Sequence, residues 1–140
     1  MAQARTRVIA MLDELQVALQ VDGTRLVLGG FSQGAMLACD VALRTARPLA
    51  ALVMLSGTLL ARDAWLPAMG ARNTLPIFQS HGRQDPLLPF AAAERLRDAW
   101  HDAGAHVDWI EFNGGHEIPY GVLEGLGSFL VEHSGLRTAV

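Results

Sequence analysis

Leu26-Val27-Leu28-Gly29-Gly30-Phe31-Ser32-Gln33-Gly34 is the stretch whose reading decides the fold. An apolar run ends in two glycines, a serine follows, and a third glycine stands two residues later. The letters fit G-x-S-x-G, in which a serine occupies a sharp turn from a strand into a helix, its hydroxyl aimed out of the sheet. Such a turn crowds the backbone, so positions 30 and 34 are both expected to need small residues. Five letters recur by chance, and the flanks give them weight. Arg25 to Leu28 reads as a strand; Gln33 to Thr45 reads as a helix with Met36, Leu37, Val41 and Leu43 as its buried positions. The competing reading is a glycine-rich turn with an incidental serine.

Working outward, residues 2 to 20 predict an amphipathic helix with Val8, Ile9, Leu12, Leu15 and Leu19 inward, stopped by Asp22-Gly23. Beyond Arg47-Pro48, Leu49 to Leu55 predicts a buried strand ending at Ser56-Gly57. Residues 59 to 72 read as a loop with a short helix. Pro76 to Ser80 predicts a third strand, followed by His81-Gly82-Arg83-Gln84-Asp85-Pro86. Phe90 to Ala103 predicts a helix stopped by Gly104, and His106 to Phe112 a fourth strand. The loop Asn113-Gly114-Gly115-His116 then leads into a closing helix, 117 to 133, with Val122, Leu123, Leu126, Phe129 and Leu130 inside. Buried strands alternating with helices imply βαβ units. The expected fold class is α/β: one domain over 1–140, with about four strands in a mostly parallel sheet and helices on both faces.

Composition excludes several classes. With 51% hydrophobic and 18% charged residues in 140, the chain is globular. The net charge of −3 is scattered, with no basic stripe for nucleic acid. The longest apolar run, Leu49 to Leu55, is far short of the roughly 18 residues of a membrane span. Charges at Arg5, Arg7, Asp13 and Glu14 break any secretory apolar core, so none is read. The single Cys39 is expected to be a small core residue, which fits a reducing, cytoplasmic setting.

Loops at the carboxyl ends of parallel strands converge on one edge of the sheet. Four such loops would bring Ser32, Ser56-Gly57, Asp85 and His116 together, in the chain order Ser…Asp…His used by α/β-hydrolases. A serine hydroxyl needs a base to take its proton. His116 would accept it at Nε2 and return it to the leaving group, while Asp85 would hold His116 through Nδ1. The Gln33 N–H, opening a helix, would face a developing oxyanion. Each has a plainer alternative: a turn aspartate before proline for Asp85, an exposed loop histidine for His116. His81 is the rival base, though its place where a strand ends suits shaping the Asp85 loop. Met36, Leu59, Leu60, Trp65, Leu87 and Leu88 flank the expected crevice and are candidates for an acyl pocket or for plain core. No spacing of His, Cys or acids suggests a metal site, and the chemistry needs no cofactor.

Gly30-Phe31-Ser32-Gln33-Gly34-Ala35, Leu55-Ser56-Gly57, His81-Gly82-x-x-Asp85-Pro86-x-x-Pro89 and Gly115-His116-Glu117-Ile118 together resemble the phospholipase/carboxylesterase family, which includes the acyl-protein thioesterases. The resemblance implies Ser32, Asp85 and His116 as a triad and hydrolysis of carboxylic esters or thioesters of acyl chains. The alternative is a weakly active or non-catalytic scaffold that binds a small apolar ligand or a partner. Family members begin with further strands, one of which ends in a glycine-rich loop supplying a second oxyanion donor. Nothing in this chain resembles that loop, so the expectation is the C-terminal part of such an enzyme, slowed by the missing donor. The first strand would also lose a neighbour, and an exposed apolar edge predicts pairing into a homodimer or aggregation.

Overall fold

The structure, a computed structural model, describes residues 1–133. The end of the expected 1–140 domain, residues 134–140, lies outside the described residues. Five helices and four strands alternate: α1 (Ala2–Leu19), β1 (Val27–Phe31), α2 (Gln33–Arg44), β2 (Ala51–Leu55), α3 (Arg62–Met69), β3 (Ile77–Gly82), α4 (Phe90–Asp102), β4 (Val107–Phe112) and α5 (Tyr120–His133). All strand pairs are parallel and the order is β1-β2-β3-β4, so each strand is added beside the last.

Several boundaries differ from expectation. Arg25 belongs to a 3-10 turn, Gly23–Arg25, because Asp22 Oδ1 accepts the Thr24 N–H and closes the chain before the strand. The first strand instead runs on through both glycines to Phe31, since Gly29 and Gly30 keep their places beside Val53 and Met54. The third strand likewise extends to Gly82. The last helix starts at Tyr120, after Pro119, whose carbonyl accepts the Val122 N–H at 3.0 Å. Leu123 on α5, and Leu15 and Leu19 on α1, all expected inside, are exposed.

The two faces of the sheet are covered unequally. On one, Leu52, Met54, Ile77 and Val107 pack with Leu12 of α1, Trp65 and Met69 of α3, Leu96 and Trp100 of α4, and α2. On the other, Val53, Leu55 and Phe78 pack with Val122 and Phe129 of α5. Helix α2 lies between sheet and neighbouring helices, and residues 35–36 and 38–43 are buried. Its one buried acid, Asp40, accepts from Trp65 Nε1 at 2.9 Å and pairs with Arg5, tying α1 and α3 to α2. Cys39 is fully buried as expected; burial, and then the Asp40 charge, push its thiol well above its ordinary value.

Two features matter for the site. The hydrogen-bond ladder continues past the strand ends: Ser32 N–H donates to Leu55 O (2.8 Å), Ser56 N–H to Ser80 O (2.9 Å), Arg83 N–H to Phe112 O (2.9 Å) and Gln84 N–H to Gly114 O (2.9 Å). The loops at this edge are therefore stitched to one another. At the side of the sheet, β1 has no second strand partner among the described residues. No helix described is long and apolar enough to cross a membrane.

Candidate active site

Ser32 sits between β1 and α2 with φ 57° and ψ −121°, a region that costs a non-glycine residue about 1–3 kcal/mol. The turn holds it there. Its N–H is tied to β2, and its carbonyl accepts the N–H groups of Ala35 (3.0 Å) and Met36 (3.3 Å) as α2 begins. The crowding expected at position 30 is present: a Cβ there would lie 2.3 Å from the carbonyl carbon and oxygen of Gly34. The expectation for position 34 is corrected, because a Cβ on Gly34 would meet nothing within 4 Å. Gly34 instead borders open hollows of about 240 Å³, with Met1, Ala4, Gln33 and Leu37, and about 180 Å³, with Val8, Met11, Leu28, Gly29, Leu37 and Ala38.

The three expected side chains meet. The Ser32 hydroxyl lies 2.8 Å from His116 Nε2, and His116 Nδ1 lies 2.7 Å from Asp85 Oδ2. The carboxylate fixes the tautomer: Nδ1–H donates to Asp85, leaving Nε2 to accept from Ser32. Phe31 packs against the imidazole, with ring centroids 4.8 Å apart. The loop bearing His116 is pressed onto the end of β3. A Cβ on Gly82 would come within 2.2 Å of Gly115 O and 2.4 Å of Gly114 O, so this close approach requires glycine.

Asp85 has no exposed side-chain surface. Its Oδ1 accepts the N–H groups of Leu87 (2.8 Å) and Leu88 (2.9 Å). It is thus a turn aspartate and the partner of His116 at once. Burial alone would push its carboxyl up. The Leu88 N–H, the bond to His116 and the Leu87 N–H outweigh that and hold it below the ordinary 3.8. A lowered folded-state value stabilises the fold above the unfolded value, and the contribution is lost as pH falls through the folded one. The stability gap between wild type and Asp85→Asn, measured by denaturant titration, is therefore expected to be constant through neutral pH and to close below about pH 3.8.

Gln33 opens α2, where the first N–H groups have no intrahelical acceptor. The rival base, His81, is fully buried and bonded to Leu88 O, so it is closed off from solvent. The expected pocket lining is corrected. Trp65 has no exposed surface and is engaged by Asp40, and Met36 is buried in the core beside Thr58. Leu60 and Leu87 are 53% and 68% exposed, while Leu59 and Leu88 are half-buried against the main core. Leu59 lines a separate hollow of about 220 Å³ between α3 and α4, with Arg62, Leu66, Arg95, Asp98, Ala99 and Asp102. These six do not form one cavity. Sequence reasoning missed Asp40, although a lone acid within Ala35–Leu43 is itself a signal, and Gly82, whose need for glycine arises only from the packed loop.

A parallel sheet with a serine on a strained strand-to-helix turn, met by a histidine and an aspartate from later loops, is the architecture of an α/β-hydrolase. The chain belongs to the phospholipase/carboxylesterase family, whose pattern matches residues 1–134. It is 29% identical over 116 residues to acyl-protein thioesterase 1 of Neurospora crassa, covering 80% of this chain and 47% of that protein. It is 37% identical over 90 residues to acyl-protein thioesterase 1 of Eremothecium gossypii, covering 64% and 38%. The chain thus spans about half the length, or less, of these curated relatives. Among solved structures, esterase PE8 matches with TM-score 0.81 at 28% identity, covering 95% of this chain and 63% of that one. Arabidopsis thaliana SOBER1 matches with TM-score 0.82 at 23% identity, covering 94% and 63%, a likeness of fold.

Proposed function

We propose that this chain is a serine hydrolase cleaving carboxylic esters or acyl thioesters, with Ser32 as nucleophile, His116 as general base and acid, and Asp85 as the group orienting His116. The observation that carries the reading is the unbroken hydrogen-bond chain from Ser32 through His116 to Asp85, at 2.8 and 2.7 Å. In the first half-reaction Ser32 Oγ bonds to the carbonyl carbon as its proton passes to His116 Nε2. The Gln33 N–H donates to the oxyanion. Collapse breaks the C–O or C–S bond, and His116 returns the proton to the leaving alkoxide or thiolate. Water then repeats the sequence on the acyl-enzyme, releasing a carboxylic acid and restoring Ser32.

Only one oxyanion donor is assigned. Small activated esters, whose leaving groups demand least of the oxyanion site, are expected to turn over. A fluorophosphonate reagent tests the reading directly. The expected result is a covalent adduct mapped by mass spectrometry to Ser32. A folded sample that takes up no reagent supports the alternative, a non-catalytic scaffold that holds a small apolar ligand or a partner.

The partner proposed is a second copy of this chain. The edge of β1 that has no strand partner among the described residues, with exposed Met11 of α1 beside Leu28 and Gly29, would pair with its own copy about a two-fold axis. Sedimentation is expected to give a concentration-dependent dimer that Met11→Lys weakens. A monomer at high concentration removes the proposal.

A further inference from the structure

His81 is the one histidine that is fully buried, and the mechanism above does not use it. Its Nε2 lies 2.9 Å from Leu88 O, 3.3 Å from Asp85 Oδ2 and beside the Phe90 ring. A carbonyl only accepts, so Nε2 carries the hydrogen. The opposite nitrogen, Nδ1, has no hydrogen-bond partner. The ring is therefore held by a single donated bond, directed into the turn that carries Asp85.

That turn is fastened twice at the same residue. Leu88 donates its N–H to Asp85 Oδ1, and its carbonyl receives the His81 N–H. The two groups lie in the peptide units on either side of the Leu88 Cα, so the bond to the carbonyl restrains the residue whose N–H orients Asp85. The polar N–H of His81 also faces the carboxylate oxygen that receives His116 Nδ1. Both effects keep Oδ2 aimed at His116, on a carboxylate that has no exposed surface of its own.

We propose that His81 is a positioning residue of the active site: its Nε2–H locks the 85–88 turn and so sets the Asp85–His116 alignment on which proton transfer at Ser32 depends. The kinetic part rests on the hydrolase reading; the alignment itself does not. A shift of about 1 Å in such a chain can cost 10²-fold in rate.

The test compares three variants with wild type. His81→Gln places an amide N–H near the Nε2 position, His81→Asn places one short of it, and His81→Leu removes the donor. Each is first checked for folding by circular dichroism and thermal melting. With a small p-nitrophenyl ester, His81→Leu and His81→Asn are expected to lower kcat about tenfold to hundredfold at unchanged KM. His81→Gln is expected to stay within about threefold of wild type. Independently of turnover, proton NMR is expected to show the downfield His116 Nδ1–H signal in wild type and His81→Gln, and to show it lost or broadened in the other two.

A folded His81→Leu or His81→Asn with wild-type kcat and an intact signal overturns the proposal. So does a folded His81→Gln that falls as far as His81→Leu, because the donated bond would then not be what matters. If His81→Leu does not fold, the Gln and Asn pair decides. If wild type neither turns over nor takes up fluorophosphonate, the hydrolase reading fails, and the NMR signals still decide whether His81 sets the alignment.

Discussion

Replacing Ser32 by alanine is expected to leave a folded protein that hydrolyses esters no faster than its surroundings do. The change removes one oxygen from a half-buried side chain. His116 Nε2 loses its donor, but the imidazole keeps some exposure and water can take the place. The melting temperature is expected to move little, corresponding to less than about 1 kcal/mol. Activity should collapse, because no other described side chain within reach of His116 Nε2 offers a nucleophile. In serine hydrolases with complete machinery such a loss is on the order of 10⁶ in kcat. On the proposed mechanism the observable fall is at least about 10³. Initial rates on a p-nitrophenyl ester, with fluorophosphonate labelling of the same samples, measure it. A variant that keeps a tenth of the wild-type rate would mean that the nucleophile lies elsewhere.

The second large effect separates two glycines that look equivalent in sequence. Gly30→Ala is expected to destabilise by about 3 kcal/mol and to abolish activity, whereas Gly34→Ala is expected to be neutral or to stabilise by up to about 1 kcal/mol. At position 30 the added carbon would meet backbone, 2.3 Å from Gly34 C and O and 2.7 Å from Ala35 N. Backbone cannot rotate out of the way, so α2 would have to lift from β1. That helix packs on β1, β2, α1 and α3, and it carries Asp40 to Arg5 and Trp65. At position 34 the carbon enters open space on a helix, where alanine is preferred to glycine. Denaturant midpoints of the two variants, with activity, read out the difference. A Gly30→Ala protein as stable and active as wild type would contradict the close approach of strand and helix at this turn.

The fold was largely legible because its signals are local. Strand, glycine turn and helix follow one another within Val27–Arg44; β2 is a short apolar run before Ser56-Gly57, while β3 and β4 mix apolar with polar residues and end at Gly82 and before Asn113. Boundaries were less legible where a local hydrogen bond competes with the ladder, as at Asp22 and Pro119. Of the site, Ser32, Asp85 and His116 could be picked out because strands of one direction deliver their trailing loops to one edge. The pocket residues could not. Trp65 and Met36 have the same apolar character as a pocket wall, and only packing against Asp40 and Thr58 decides that they face the core.

By itself the sequence determined the order of strands and helices, the strained serine turn, and which three side chains would arrive at one end of the sheet, because backbone sterics and hydrophobic period act over a few residues. Only the tertiary structure decided that His81 is sealed beneath Asp85, that Gly82 must be bare for the 114–115 loop to close, and that Gly34 faces open space. The Gly82 contact joins segments far apart in the chain, and the sealing of His81 and the openness beside Gly34 depend on what the other elements cover, which no local pattern encodes.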